Sequence, residues 1–126
     1  MRLLLDTHVF LWWCADDDRL GPVERDAIRD PANDIYLSAV SVWEITIKQA
    51  LGRLRVPELP SAAAARLGMQ PLPMTAEHVE ATSALPPIHR DPFDRMLVAQ
   101  ARVESLTLVT GDETVRSYPG VAFLRP

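Results

Sequence analysis

Short apolar runs of strand length alternate along this 126-residue chain with segments of helical periodicity. The predicted strands cover residues 3–5, 35–38, 106–110 and 121–124. The predicted helices cover residues 9–14, 22–29, 42–54, 61–67, 76–84 and 93–104. If 69–74, "MQPLPM", is a further strand, its two prolines confine it to an edge. This alternation predicts an α/β fold in which right-handed crossovers join the strands of a parallel sheet and cover both its faces.

The size and composition predict one cytoplasmic domain over 1–126. The hydrophobic content of 48% is enough for one core, and no apolar run approaches the ~20 residues of a membrane span. The first apolar run meets Asp6 too early to be a signal peptide. The lone Cys14 excludes an internal disulfide and a zinc ribbon. The net charge of −4 argues against nucleic-acid binding by bulk electrostatics.

Two acids follow predicted strands directly, at the edge of a parallel sheet where binding crevices form. Asp6 follows the first strand, and Asp112 follows the strand that ends at Thr110. Each has a simple structural explanation, since Asp6 can cap a helix and a Gly-Asp pair favours a turn. Their shared location is what suggests a site.

Glu44 lies in "SVWE", which fits a capping box with Ser41 as the N-cap, and Lys48 follows at the spacing of a surface ion pair. The apolar stripe of this helix, however, places Glu44 beside its buried face, where an unpaired carboxylate is costly. Glu44 therefore needs a nearby cation that Lys48 alone is not expected to provide.

The segment "HRDPFDRMLVAQA", residues 89–101, crowds charged side chains at the start of a core helix. Asp91 and Pro92 fit an N-cap followed by proline at the first helical position. Capping leaves Asp94 under-explained, because it is in phase with Val98 and Ala101 on the core side of the helix.

Together the four acids are expected to converge on one pocket at the strand ends. They would repel one another unless a hard divalent cation neutralised them, and oxygen-only ligands favour Mg²⁺ or Mn²⁺. Removing these 4 from the 17 acids leaves 13, equal to the 13 basic residues, so the excess negative charge falls at this site. The predicted ligands are Asp6, Glu44, Asp94 and Asp112.

The sequence resembles the PIN-domain ribonucleases, and among them the VapC toxins of bacterial and archaeal toxin–antitoxin pairs. The resemblance spans nearly the whole chain and rests on four motifs in order: "LLLDTHVFLWW", "LSAVSVWEI", "HRDPFDRMLVAQA" and "LTLVTGD". It implies a three-layer α/β/α sandwich with a central parallel sheet of four to five strands.

The resemblance also implies residue roles in a Mg²⁺-dependent endoribonuclease, with Mn²⁺ as a substitute. It makes the same four acids the catalytic metal-binding set that activates water against an RNA phosphodiester. The supporting positions are Thr7 and Thr110, which match hydroxyls beside the first and last acids, and Asp91, which belongs to the "HRDPFDR" version of the third motif. Arg90, Arg95 and His89 are candidates to hold flanking phosphates, with ordinary solvated charges as the alternative. His8 and His78 are expected to be structural or surface residues.

The partners implied by the resemblance are a second copy of the chain and a small VapB-like antitoxin, assembled into a larger toxin–antitoxin complex. The antitoxin is expected to lay a helix or strand across the groove and to place a basic side chain near the acids, against an apolar face of the early helices. Trp12, Trp13 and Trp43 are expected to fill the core or an interface rather than to stack on bases.

Two other function classes remain open from the residues. A phosphatase or phosphotransfer domain would also place an Asp after the first strand as nucleophile. It expects a second Asp two residues later and a lysine near the last strands, and neither is found. A non-catalytic binding module on the same fold is the other alternative, and the intact acids speak against it.

Overall fold

The computed structural model describes residues 1–125 as five strands and six α-helices. The strands are β1 (Arg2–Leu5), β2 (Asp34–Ser38), β3 (Gln70–Leu72), β4 (Thr107–Val109) and β5 (Ala122–Phe123). The helices are α1 (Thr7–Ala15), α2 (Pro22–Arg29), α3 (Ala39–Ala50), α4 (Pro60–Arg66), α5 (Ala76–Ala81) and α6 (Pro92–Glu104). Short 3-10 turns occupy Thr82–Ala84 and Val115–Ser117. None of the described helices is long and apolar enough to cross a membrane.

All five strands are parallel, in the order β3-β2-β1-β4-β5, as the alternating pattern predicts. The central position belongs to β1, whose Leu4 is in register with Tyr36 on one side and Leu108 on the other. The proline-containing strand β3 lies at an edge, where a missing N–H costs no ladder hydrogen bond. Residues that follow β1 and β4 therefore emerge side by side at one end of the sheet.

The two faces of the sheet carry separate apolar clusters, because side chains alternate along β1. Leu3 and Leu5 pack with residues of α1, α2 and α4 on one face. Leu4 packs with Leu97 and Val98 of α6 on the other. The fold is thus a three-layer α/β/α sandwich around a five-stranded parallel sheet, in agreement with the sequence prediction.

Helix α3 begins earlier and ends earlier than predicted. The chain turns into helix directly after β2, so Ser38 is the N-cap and accepts the Val40 N–H at 3.0 Å. Ser41, predicted as the cap, instead lies buried inside the helix. The helix stops at Ala50 rather than Leu54 because Gly52 adopts a left-handed φ of 72°, a conformation that favours glycine at helix ends.

Candidate metal centre

Asp6 is fixed at the carboxyl end of the central strand. Its N–H donates to Val109 O at 3.0 Å, and its Oδ1 accepts the Val9 N–H at 3.0 Å as the N-cap of α1. The residue is only 2% exposed, and its Oδ2 has no hydrogen-bond partner among the described residues. A buried carboxylate oxygen without a partner is costly, and a cation would remove that cost.

His8 does not supply the missing partner. Its Nε2 accepts the Gly111 N–H at 3.0 Å, so when Asp6 is ionised this nitrogen faces Asp6 Oδ2, 3.2 Å away, as one acceptor facing another. Burial lowers the pKa of His8, which keeps the imidazole neutral near pH 7. Gly111 permits the contact, because a Cβ at this position would lie 3.1 Å from His8 Nε2.

The environment of Asp6 strongly favours its neutral form in the absence of metal. Burial raises the pKa of Asp6 from 3.8 to about 8, against the opposing effects of the Thr110 hydroxyl and the Val9 amide. The negative charges of Asp94 and Glu44 raise this pKa further. The three acids are therefore close enough to repel one another, and a divalent cation bound among them would neutralise that repulsion.

Glu44 projects from α3, and each of its two carboxylate oxygens has a partner. The Thr7 hydroxyl donates to Glu44 Oε1 at 2.7 Å and lies 3.0 Å from Ser41 Oγ. Lys48 Nζ lies 2.6 Å from Glu44 Oε2, so the expectation that Lys48 alone would not provide the cation was wrong. Lys48 lies one helical turn after Glu44, and its long side chain spans from the surface to the buried carboxylate. Thr7 thus orients Glu44 rather than its neighbour Asp6.

Replacing Thr7 with valine tests this arrangement. Thr7→Val preserves shape but leaves Glu44 Oε1 without its donor, and we expect unfolding to become easier by about 1–3 kcal/mol. Urea denaturation measures the change. Thr7→Ser, which retains the hydroxyl, is the matched control and should lose less stability than Thr7→Val. Equal losses in the two variants would show that the hydroxyl does not stabilise Glu44.

Asp94 lies in the first turn of α6, directly after its capping residue. Asp91 Oδ1 accepts the Phe93 and Asp94 N–H groups, which confirms Asp91 as the N-cap. Partial burial raises the pKa of Asp94 to about 6, and the nearby charges of Asp91, Glu44 and Asp112 raise it while His89 lowers it. Asp94 thus experiences the charges of acids from α3 and from the turn after β4.

Asp112 belongs to that turn, after β4. Its Oδ1 accepts the Thr114 N–H at 2.8 Å, and its own N–H donates to Thr110 Oγ1 at 3.1 Å. Partial burial raises the pKa of Asp112, but hydrogen bonds from backbone amides and from His89 outweigh it, and the pKa lies below its ordinary value. The environment of Asp112 therefore favours its ionised form.

A compact group of candidate ligands includes a histidine that the pattern of acids did not indicate. Ligand atoms of His89, Asp94 and Asp112 all lie within 4.8 Å of one another. Asp6 and Glu44 act on Asp94 electrostatically but lie outside this group. The four predicted acids share one end of the sheet, and only two of them fall in one compact set.

The two arginines predicted to hold phosphates lie in different environments. Arg90 is exposed. Arg95 is partly buried, and its guanidinium donates to the Thr82, Leu85 and Pro86 carbonyl oxygens and to the Tyr118 hydroxyl. Arg95 is therefore used within the fold, where it fastens the loop before α6.

The tryptophans also differ from one another. Trp43 is 54% exposed and contacts Phe93 edge to face at a centroid distance of 5.2 Å. Trp12 and Trp13 are half-buried and pack against the apolar cluster beneath α1. The expectation of a core or interface position thus fits Trp12 and Trp13, while Trp43 lies at the surface beside α6.

His78 has a structural role, as expected. It is buried, and its Nδ1 accepts the Thr75 N–H.

With this geometry described, comparison with known proteins identifies the family. The sequence model of the PIN-domain family matches residues 3–121 of this chain. The chain belongs to the PIN-domain family. This PIN domain is 30% identical to Ribonuclease VapC22 of Mycobacterium tuberculosis, over 92% of this chain and 91% of that protein.

Solved structures share the same fold at lower identity. VapBC2 from Rickettsia felis, bound to a DNA fragment from its promoter, superposes with a TM-score of 0.73 and 14% identity, over 98% of this chain and 97% of that one. Mycobacterium tuberculosis VapC20, a sarcin-ricin loop cleaving toxin, gives a TM-score of 0.60 and 20% identity, over 95% and 98%. These likenesses extend the PIN fold over nearly the whole chain.

Proposed function

We propose that this chain is a metal-dependent endoribonuclease, the toxin of a VapBC-type toxin–antitoxin pair. Its relationship to VapC22 identifies the class of reaction. The observation that carries the metal dependence is Asp6 Oδ2, a buried carboxylate oxygen without a partner at the end of the central strand. Asp94 and Glu44 add negative charge to the same place.

The oxygen donors of the site suit Mg²⁺, with Mn²⁺ as a substitute. Asp6, Glu44, Asp94 and Asp112 would hold the ion. When bound, a divalent cation supplies an activated water nucleophile and stabilises charge on the phosphate and on the leaving 3′ oxygen. The chain's own residues provide orientation: Thr7 aims Glu44, Thr110 fixes the turn that carries Asp112, and Asp91 fixes the first turn of α6.

A cleft beside α1 is suited to the antitoxin. Its volume is about 380 Å³, and its lining includes His8, which also contacts Asp6 Oδ2. The apolar part of its lining includes Leu11, Trp12, Leu54 and Val56. An antitoxin helix or strand that buries apolar side chains here could place a basic side chain near the acids. The similar structures include VapBC complexes, which supports a VapB-like partner. The same proposal includes a toxin homodimer within a larger toxin–antitoxin complex.

RNA contacts outside the acids are assigned to Arg90 and not to Arg95. Arg90 is exposed on the loop before α6, whereas the guanidinium of Arg95 already donates to groups of the chain. Because the proposed substrate is cellular RNA, the proposal also places the protein in the cytoplasm.

Cleavage of structured RNA by the purified protein tests this function. We expect cleavage with Mg²⁺ or Mn²⁺ and none with EDTA, and Asp94→Asn should lower the rate by about 100-fold or more. Asn preserves shape and can still accept hydrogen bonds, so thermal melting should show that the variant remains folded. Cleavage that persists in EDTA or in Asp94→Asn would contradict the proposal. Hydrolysis of p-nitrophenyl phosphate without RNA cleavage would favour a phosphatase instead.

A further inference from the structure

His89 joins two acids that come from different parts of the chain. Its Nε2 lies 3.4 Å from Asp94 Oδ2, in the first turn of α6, and 3.3 Å from Asp112 Oδ2, in the turn after β4. The imidazole is partly buried, with a side-chain exposure of 23%. Helix capping does not require this contact, because Asp91 already caps α6.

The other ring nitrogen determines which tautomer is present. His89 Nδ1 accepts the Asp91 N–H at 3.0 Å, so it carries no hydrogen. A neutral imidazole with an accepting Nδ1 has its hydrogen on Nε2. Nε2 therefore faces the two carboxylates as a donor, and its lone pair is not available to a metal.

The backbone of His89 is fastened from behind. Its N–H donates to the Tyr118 hydroxyl at 2.8 Å, and Tyr118 is only 3% exposed. Arg95 donates to the same hydroxyl at 3.1 Å. Since Asp91, Tyr118 and Arg95 together fix the ring and its backbone, the direction of the Nε2–H bond is set by the fold.

We propose that His89 is a positioning residue that holds Asp94 and Asp112 together for the metal. This inference rests on the proposed function. Asp112 Oδ1 is committed to the Thr114 amide, and the donor of His89 orients the remaining oxygen, Oδ2. Each carboxylate oxygen has two lone pairs, so Oδ2 can accept from His89 and still bind a cation. Without the imidazole, mutual repulsion would separate the two acids.

Metal affinity and ring tautomer together test this role. Mn²⁺ binding is measured by isothermal titration of wild type, His89→Leu and His89→Gln, with thermal melting to confirm that each is folded. His89→Leu removes the donor and should weaken binding by about 10- to 100-fold. The side-chain amide of His89→Gln presents an N–H near the Nε2 position, so its dissociation constant should stay within about threefold of the wild-type value.

Two results would overturn the inference. If His89→Leu binds Mn²⁺ as tightly as wild type or more tightly, the imidazole does not help the metal. If His89→Gln loses as much affinity as His89→Leu, the ring itself is required, as a ligand would be.

A second measurement separates this inference from the proposed function. Long-range ¹H–¹⁵N spectra of the metal-free protein should show His89 with its hydrogen on Nε2, and His8, whose Nε2 accepts the Gly111 N–H, with its hydrogen on Nδ1. A hydrogen on His89 Nδ1 would overturn the positioning role even if Mn²⁺ binds. The expected tautomer with no Mn²⁺ binding by wild type would instead overturn the proposed function and the metal role of His89 with it.

Discussion

Without divalent cations at pH 8, Asp6→Asn is expected to be more stable than wild type. Burial and neighbouring acids raise the pKa of Asp6 to about 8 in the folded protein, whereas an unfolded chain ionises this group near 3.8. Asn keeps the oxygen that caps α1 and carries no charge to bury. The difference in pKa corresponds to a stabilisation of the variant on the order of 5 kcal/mol at pH 8.

The pH dependence has a definite sign. Between pH 4 and pH 8 the folded protein retains a proton on Asp6 that the unfolded chain has released. Stability falls with rising pH wherever the folded state binds more protons than the unfolded state. The wild-type free energy of unfolding should therefore decrease from pH 4 to pH 8, and that of Asp6→Asn should decrease less.

Urea denaturation in EDTA at pH 5 and pH 8 measures both effects. Asp18→Asn is the matched control, since it makes the same substitution at an exposed position. Addition of Mn²⁺ at pH 8 should restore stability to wild type more than to Asp6→Asn, because a ligand stabilises only the state that binds it. Identical slopes for wild type and Asp6→Asn would exclude a strongly raised pKa at Asp6.

Arg95→Lys is expected to destabilise the fold, with little direct effect on RNA contacts. The planar guanidinium reaches three backbone carbonyl oxygens and the Tyr118 hydroxyl, a geometry that one ammonium group cannot reproduce. Loss of these charge-assisted hydrogen bonds should cost on the order of 3 kcal/mol. Thermal or urea unfolding measures the loss.

Arg90→Lys is the matched control for Arg95→Lys. Arg90 is exposed five residues earlier, and its replacement should change stability by no more than about 0.5 kcal/mol. RNA affinity provides the opposite comparison, since Arg90→Ala should weaken binding at low salt. If Arg95→Lys were as stable as wild type yet bound RNA poorly, Arg95 would be a phosphate contact after all.

The parts of the structure that depend on local pattern could be predicted from the sequence. Asp6 and Asp112 were placed correctly because the end of a buried strand is visible as a change from apolar to polar residues. The N-cap role of Asp91 was also visible, since Pro92 follows it. The start of α3 was missed because two serines, Ser38 and Ser41, compete for the cap. Only the end of β2 decides between them.

The parts that depend on distant contacts could not be predicted. His89 meets Asp112 across 23 positions of sequence, and Arg95 is engaged by the carbonyl oxygens of a preceding loop. No periodicity encodes such contacts. One local signal was present for His89, which lies two residues before the N-cap, where its Nδ1 can accept the cap's own N–H. That hydrogen bond orients the imidazole, but the local sequence does not indicate which residues Nε2 contacts.

The backbone hydrogen bond from Asp6 to Val109 has a consequence for how this end of the sheet responds to its surroundings. A carboxylate on a free loop could turn into solvent, away from its neighbours, but the Asp6 backbone continues the hydrogen-bond ladder between β1 and β4, and its side chain stays buried. The free-energy cost of ionising Asp6 beside Asp94 and Glu44 therefore cannot be relieved by moving the side chain, and a positive charge bound nearby would relieve it. A metal ion and a basic side chain from a partner would be stabilised by the same carboxylates, so binding of one should exclude the other.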